Sequence, residues 1–127
     1  MSILDDIGAK LVTDLVVEGV TGWTLAKSYM PPTPDQVIGI FETGGIIPDQ
    51  TEGISYEYPT FQVRCRGLSF GYEATRIKIQ EVFDSLNNST VSGYIYIYPN
   101  ESGPILLKYD HDDNRPELAW NFTTMKG

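Results

Sequence analysis

The sequence predicts an α+β fold: a mostly antiparallel twisted sheet packed by two helices, in the order helix, strands, helix, strands. Two observations carry this. Apolar residues recur at three- and four-residue steps in only two segments, 3–18 and 69–86. The segments between and after them alternate apolar and polar residues, or are short apolar runs bounded by glycine and proline. Helical and strand patterns are segregated along the chain, so hairpins are expected in preference to repeated βαβ units. At 127 residues the chain has the size of one domain, expected to span residues 1–127, and can bury a core without staples.

The first helix is expected over residues 3–18, with Ile3, Leu4, Ile7, Leu11, Leu15 and Val16 on one stripe. Ser2 suits its cap, Asp5 and Asp6 suit the positive end of its dipole, and Gly19 and Gly22 end it. Gly8 lies inside it, where glycine costs about 1 kcal/mol relative to alanine. Trp23–Met30 is a short strand-like segment. Pro31, Pro32 and Pro34 follow, and proline both lacks a ladder donor and forces extended geometry on its predecessor. A stiff connector is therefore expected, leading into a strand at Val37, Ile38, Ile40 and Phe41 that Gly44-Gly45 breaks.

Residues 44–54 read as a longer polar loop with an unusual Ile46-Ile47 pair. In "YEYPTFQVRCRG", Phe61, Val63 and Cys65 should face the core and Gln62, Arg64 and Arg66 the other side. The second helix presents Ile79, Val82, Phe83 and Leu86 on one face, with Tyr72 extending it and Asn87-Asn88 as a left-handed stop. In "GYIYIYP", strict alternation sets Tyr94, Tyr96 and Tyr98 against Ile95 and Ile97. Strands at 105–109 and 116–124 complete the sheet, joined by the polar turn "DHDDNR".

The formal net charge of -8 argues against a protein that grips DNA through phosphates, which needs a basic footprint. A single cysteine excludes an internal disulfide, the acidic N-terminus does not fit a secretory signal, and no apolar run approaches the ~20 residues of a membrane helix. The expectation is a soluble, acidic, cytoplasmic domain.

Tests for chemistry find little. Asp110, Asp112 and Asn114 match the first positions of a calcium loop, but Arg115 stands where glycine is needed and Asn121 where a bidentate glutamate is needed. The plain reading is an exposed turn, with His111 solvated in it, so no metal site and no cofactor are expected. Phosphate-binding glycine motifs are absent from the sequence. Cys65 reads as core packing. Arg64 and Arg66 form a local basic stripe, which is either a solvated face or a subunit contact. The three tyrosines of 94–98 are either a contact face or one side of an ordinary covered sheet, the second being favoured.

Several segments resemble one family. "YMPPTPDQVIGIFETGG" is similar to the lead-in and strand of siphophage tail terminator proteins, a family also described as minor capsid proteins. "YEYPTFQVRCRG" resembles the next strand of that family, a Tyr-Pro followed by Gln-Val-Arg-x-Arg. "GYEATRIKIQEVFDSL" stands where the family has its long helix, and "NRPELAWNFTTMKG" resembles its last strand, an Arg-Pro followed by Asn-Phe. The resemblance runs in order over nearly the whole chain.

It implies a non-enzymatic virion protein of the tail and neck, assembled in the host cytoplasm. Such a protein forms a ring-shaped homo-oligomer, typically a hexamer, on the head-proximal end of the tail tube. It stops tube growth and offers a docking surface to the head. The implied partners are further copies of the chain, the major tail tube protein and a head connector or neck protein, with DNA only passing through the lumen and no membrane involved. Another neck component, or a small metal-dependent or ligand-binding domain, are the alternatives. Arg64, Arg66, Ile46 and Ile47 are the candidate residues for the subunit or tail-tube interface. Replacing both arginines by glutamate is expected to leave the fold intact and abolish assembly.

Overall fold

The computed structural model describes residues 3–14, 16, 22–51, 54–87, 89, 91–110 and 113–126. Among them the chain forms helix α1 (Ile3–Thr13), strands β1 (Thr24–Lys27), β2 (Val37–Glu42), β3 (Ile46–Thr51), β4 (Ile54–Tyr58) and β5 (Thr60–Arg66), helix α2 (Tyr72–Leu86), and strands β6 (Tyr94–Pro99), β7 (Ile105–Tyr109) and β8 (Pro116–Lys126). This is the predicted α+β class and element order. All strand pairs are antiparallel except β1 with β2.

The long strand β8 organises the sheet. On one side it pairs with β5 along seven residues, from Thr60 opposite Thr123 to Arg66 opposite Glu117. On its other side β7 pairs with its first half and β6 with its second. β5 continues outward to β2 and then β1. β4 continues the line of β5 beyond Pro59, in the same register, and among the described residues pairs with β8 where Glu57 faces Lys126.

One sheet face carries the core. Phe61, Val63 and Cys65 alternate inward as expected, and Ile38, Ile40, Leu118, Trp120 and Phe122 join them. Phe61 and Phe122, cross-strand neighbours, stack at 5.2 Å. α2 covers this face with Ile79, Val82 and Leu86, and its Phe83 stacks on Trp120 at 4.4 Å. α1 adds Ile3, Leu4, Ile7 and Leu11. Its Gly8 is explained by close packing: a Cβ there would meet Leu25 of β1 at 3.0 Å and Lys27 at 3.2 Å. Lys78 of α2, buried, donates to the Val16 carbonyl at 3.3 Å and pairs with Glu81 at 2.6 Å, fastening α2 to the segment after α1.

Four local expectations are corrected. α1 stops at Thr13; of its expected continuation and caps, Ser2, Leu15, Gly19 and residues 17–18 lie outside the described residues. Asn87 is not left-handed but extended (φ -65°, ψ 122°), its N–H still bonded to the Phe83 carbonyl; Asn88 lies outside the described residues. The expected polar loop after Gly45 is a β-hairpin, β3–β4. Pro48 disguised it, because proline inside a run argues against a strand; the register shifts between Ile46 and Asp49 and accommodates the proline. The alternation of "YIYIY" also fails. A bulge between Tyr94 and Tyr96 leaves Ile95 unpaired, so Tyr94 and Ile97 both turn inward while Ile95 is exposed.

Candidate assembly surface

The sheet face away from the helices is polar, and the proline connector lies across it. Parallel neighbours require the chain to travel back the length of a strand, and residues 28–36 do so over β2 and β5. Gly39 makes room: a Cβ at that position would run into the Met30 sulfur. Arg66 holds the connector from beneath. Its guanidinium donates to the carbonyls of Pro31 (2.5 Å), Pro34 (2.8 Å) and Asp35 (3.1 Å). Arg115 grips the same segment from the end of the β7–β8 turn. It donates to the Pro32 carbonyl at 2.8 Å and pairs with Asp35 at 3.1 Å and Asp110 at 2.6 Å.

Both guanidiniums are buried. Burial, and then the like charge of Arg115, lower the pKa of Arg66, while Glu117, Asp110 and Asp35 oppose the shift. Burial also disfavours the charge on Arg115, but the hydrogen bond and charge of Asp110, with Asp35 and Asp113, more than compensate and raise its pKa.

Arg64 has a different fate. Its side chain is 36% exposed and lies over the Phe41 ring at 4.6 Å. It donates to Gln62 at 2.6 Å and stands 3.5 Å from the Glu117 carboxylate. Gln62 passes the network to Asn121 at 3.1 Å, and Asn121 donates through its backbone N–H and side chain to Glu101. The result is a charged and amide ladder across the outer face, with the half-buried Arg64 as its cation.

Of the four sequence-predicted interface residues, Ile46 is exposed and Arg64 half-buried. Arg66 is turned inward to the connector. Ile46, 58% exposed, opens the β3–β4 arm; Ile47 follows it in the β3 backbone, and its side chain lies outside the described residues. The arm is launched by Gly44 and Gly45 at φ 90° and 118°. A Cβ on Gly45 would approach the Tyr58 carbonyl to 2.5 Å, so glycine is required by both conformation and space. Ile46 pairs with Tyr58, six residues along the same line from Arg64, so about 20 Å separates the two candidates.

Sequence reasoning missed the β7 edge. Ile105, Leu106, Leu107 and Tyr109 are all exposed on a strand bonded only to β8 among the described residues. The signal was present in "ILLKY", four apolar residues in five where a half-buried strand would alternate. The tyrosines divide: Tyr94 is buried and donates to Asp6 at 2.9 Å, while Tyr96 and Tyr98 sit together toward solvent, their rings 5.1 Å apart.

No constellation for catalysis emerges among the described residues. Cys65 is buried, and burial drives its pKa upward, which suits a packed thiol rather than a nucleophile. In the acidic turn Asp110 is committed to Arg115, and its carbonyl accepts from Asn114 N–H at 2.7 Å. His111 and Asp112 lie outside the described residues, and among the rest no three potential ligands gather around a metal position. No described helix is long and apolar enough to cross a membrane.

The described residues thus present surfaces for contact: a braced sheet with a half-buried polar ladder, an arm and an apolar strand edge. The family model for bacteriophage tail terminator proteins matches residues 14–125, and the chain belongs to that family. It is thus a structural virion component of the phage tail. A chain of the solved virion of a native gene transfer agent particle shares the fold, with a TM-score of 0.70 over 99% of this chain and 96% of that one, at 10% identity. No curated protein matches the sequence.

Proposed function

We propose that this chain, acting as one domain over residues 1–127, ends tail-tube growth. Copies form a ring, a hexamer on the tube, at the head-proximal end of the tail. One ring face meets the major tail tube protein, and the other docks a head connector or neck protein. Assembly takes place in the host cytoplasm. The protein works by contact and not by catalysis, and it needs no cofactor.

The observation that carries this reading is the family match across residues 14–125. The charge supports it: DNA must slide through the lumen, and a chain at -8 does not trap phosphates as a basic one would. The braced outer face also supports it. A ring subunit must present its contacts in fixed register, and ordering a loose segment on assembly costs about 0.5–1.5 kcal/mol per immobilised side chain. Arg66 and Arg115 have fixed the connector beforehand. In this reading Arg64 and the arm at Ile46-Ile47 are contact residues, and Arg66 maintains the face on which Arg64 stands.

The test is to add the protein to growing tail tubes and measure tube length and end structure. Capped tubes of restricted length support termination. Binding to the head connector with uncapped, unrestricted tubes reassigns the chain as another neck component.

A further inference from the structure

One edge of the sheet ends in β7, which among the described residues is bonded only to β8. Ile105, Leu106, Leu107 and Tyr109 are between 39% and 46% exposed. An open apolar strand edge is a template for another strand, and folded proteins blunt such edges with charge, proline or cover unless a partner takes them. β7 has only one charge, Lys108, which is exposed and makes no ion pair among the described residues.

Among the described residues β3 pairs only with β4, so its other side, Pro48 apart, leaves backbone groups open as a second edge. Among the described residues, the β3–β4 arm meets the main sheet at the pair Glu57 and Lys126. In sequence, residues 46–58 carry Asp49, Glu52 and Glu57 and no Lys or Arg, opposite in sign to Lys108. The lengths match, six residues in β3 and five in β7. Within one chain the two edges cannot meet. β7 lies on one side of β8 near Pro116, whereas the arm leaves from the other side near Lys126, about 25 Å along the strand.

We propose that the arm of one copy adds its β3 edge to the β7 edge of a second copy. Main-chain hydrogen bonds join the strands, the apolar β7 side chains are covered, and Lys108 meets the net negative charge of the arm sequence. This rests on the ring reading above and identifies the contact that builds the ring. Donor arm and acceptor edge are different patches, so the contact is head-to-tail and closes a ring when its rotation closes.

The test uses two differently tagged versions, one with Leu107→Cys and one with Gln50→Cys, mixed on tail tubes with a short bismaleimide. Cys65 is buried and does not compete. Cross-linked heterodimers should exceed a control pair, Glu73→Cys with Gln50→Cys, about tenfold, and Lys108→Glu should weaken assembly by a similar factor at low salt. Asp49→Lys with Glu52→Lys should restore assembly of Lys108→Glu. Rings that form with cross-linking no greater than the control, and that tolerate Lys108→Glu, overturn the contact and leave the ring reading standing. Cross-links from Gln50→Cys to the tube protein alone also overturn it, by assigning the arm to the tube. Absence of any ring at tube ends overturns the ring reading and this contact together.

Discussion

The Arg66 guanidinium donates to the Pro31 carbonyl across 35 positions of sequence, and the same group also holds Pro34 and Asp35. Three carbonyls of one rigid connector thus depend on one buried side chain. Arg66→Met keeps much of the volume and removes every donor. It should destabilise the fold by about 2–4 kcal/mol, since charge-assisted hydrogen bonds are lost and the carbonyls are left under cover. Denaturant midpoints measure this. The Arg64→Glu, Arg66→Glu double variant should therefore damage the fold, contrary to the expectation from sequence.

Arg64→Gln alone should separate assembly from folding. Because the Glu117 carboxylate beside Arg64 is buried, a second carboxylate there should cost about 1–3 kcal/mol, so Arg64→Gln, which keeps a donor toward Glu117 and removes the cation of the outer-face ladder, is the variant that spares the fold. Thermal melting should be close to that of the natural protein while tube capping falls.

The bulge in β6 predicts unequal costs for two similar isoleucines. Ile97 is fully buried, so Ile97→Ala should cost about 2–4 kcal/mol, whereas Ile95→Ala at an exposed bulge should cost within about 0.5 kcal/mol. Equal losses would contradict the register of β6 on β8.

Tyr94 gives a pH dependence of definite sign. Burial, then the hydrogen bond and charge of Asp6, raise its pKa above the ordinary value of 10. A raised folded pKa means that the stabilisation is fully present below the unfolded value and fades as pH climbs through the folded one. Stability should fall above about pH 10. Tyr94→Phe should lose about 0.5–1.5 kcal/mol at neutral pH, through the Asp6 hydrogen bond, and show a weaker alkaline decline. Urea titrations at neutral and alkaline pH would compare the two.

Much of the fold was legible because it is written in periodicity. Phe61, Val63 and Cys65 alternate inward, and Ile79, Val82 and Leu86 share a helix face, since local pattern and tertiary burial agree. Pattern failed where an extra residue or a proline breaks the count: at Ile95, where a bulge resets the alternation, and at Pro48, which masks β3. The interface candidates were legible only by type. Arg64 and Arg66 share a strand face in sequence, but nothing local says that the connector folds back over Arg66 and leaves Arg64 to solvent. That outcome depends on the parallel placement of β1 beside β2, a long-range choice. The β7 edge was visible as a run of apolar residues, but its exposure follows from its position at the end of the sheet.

The central claim is that copies of this chain cap the tail tube as a ring. Negative-stain imaging of purified tubes mixed with the protein, with light scattering of the protein alone, tests it most directly. The account predicts a ring at one end of each tube and no growth beyond it, whatever the mass of the free protein. Uncapped tubes that continue to lengthen, with a protein that stays strictly monomeric at high concentration, would contradict it.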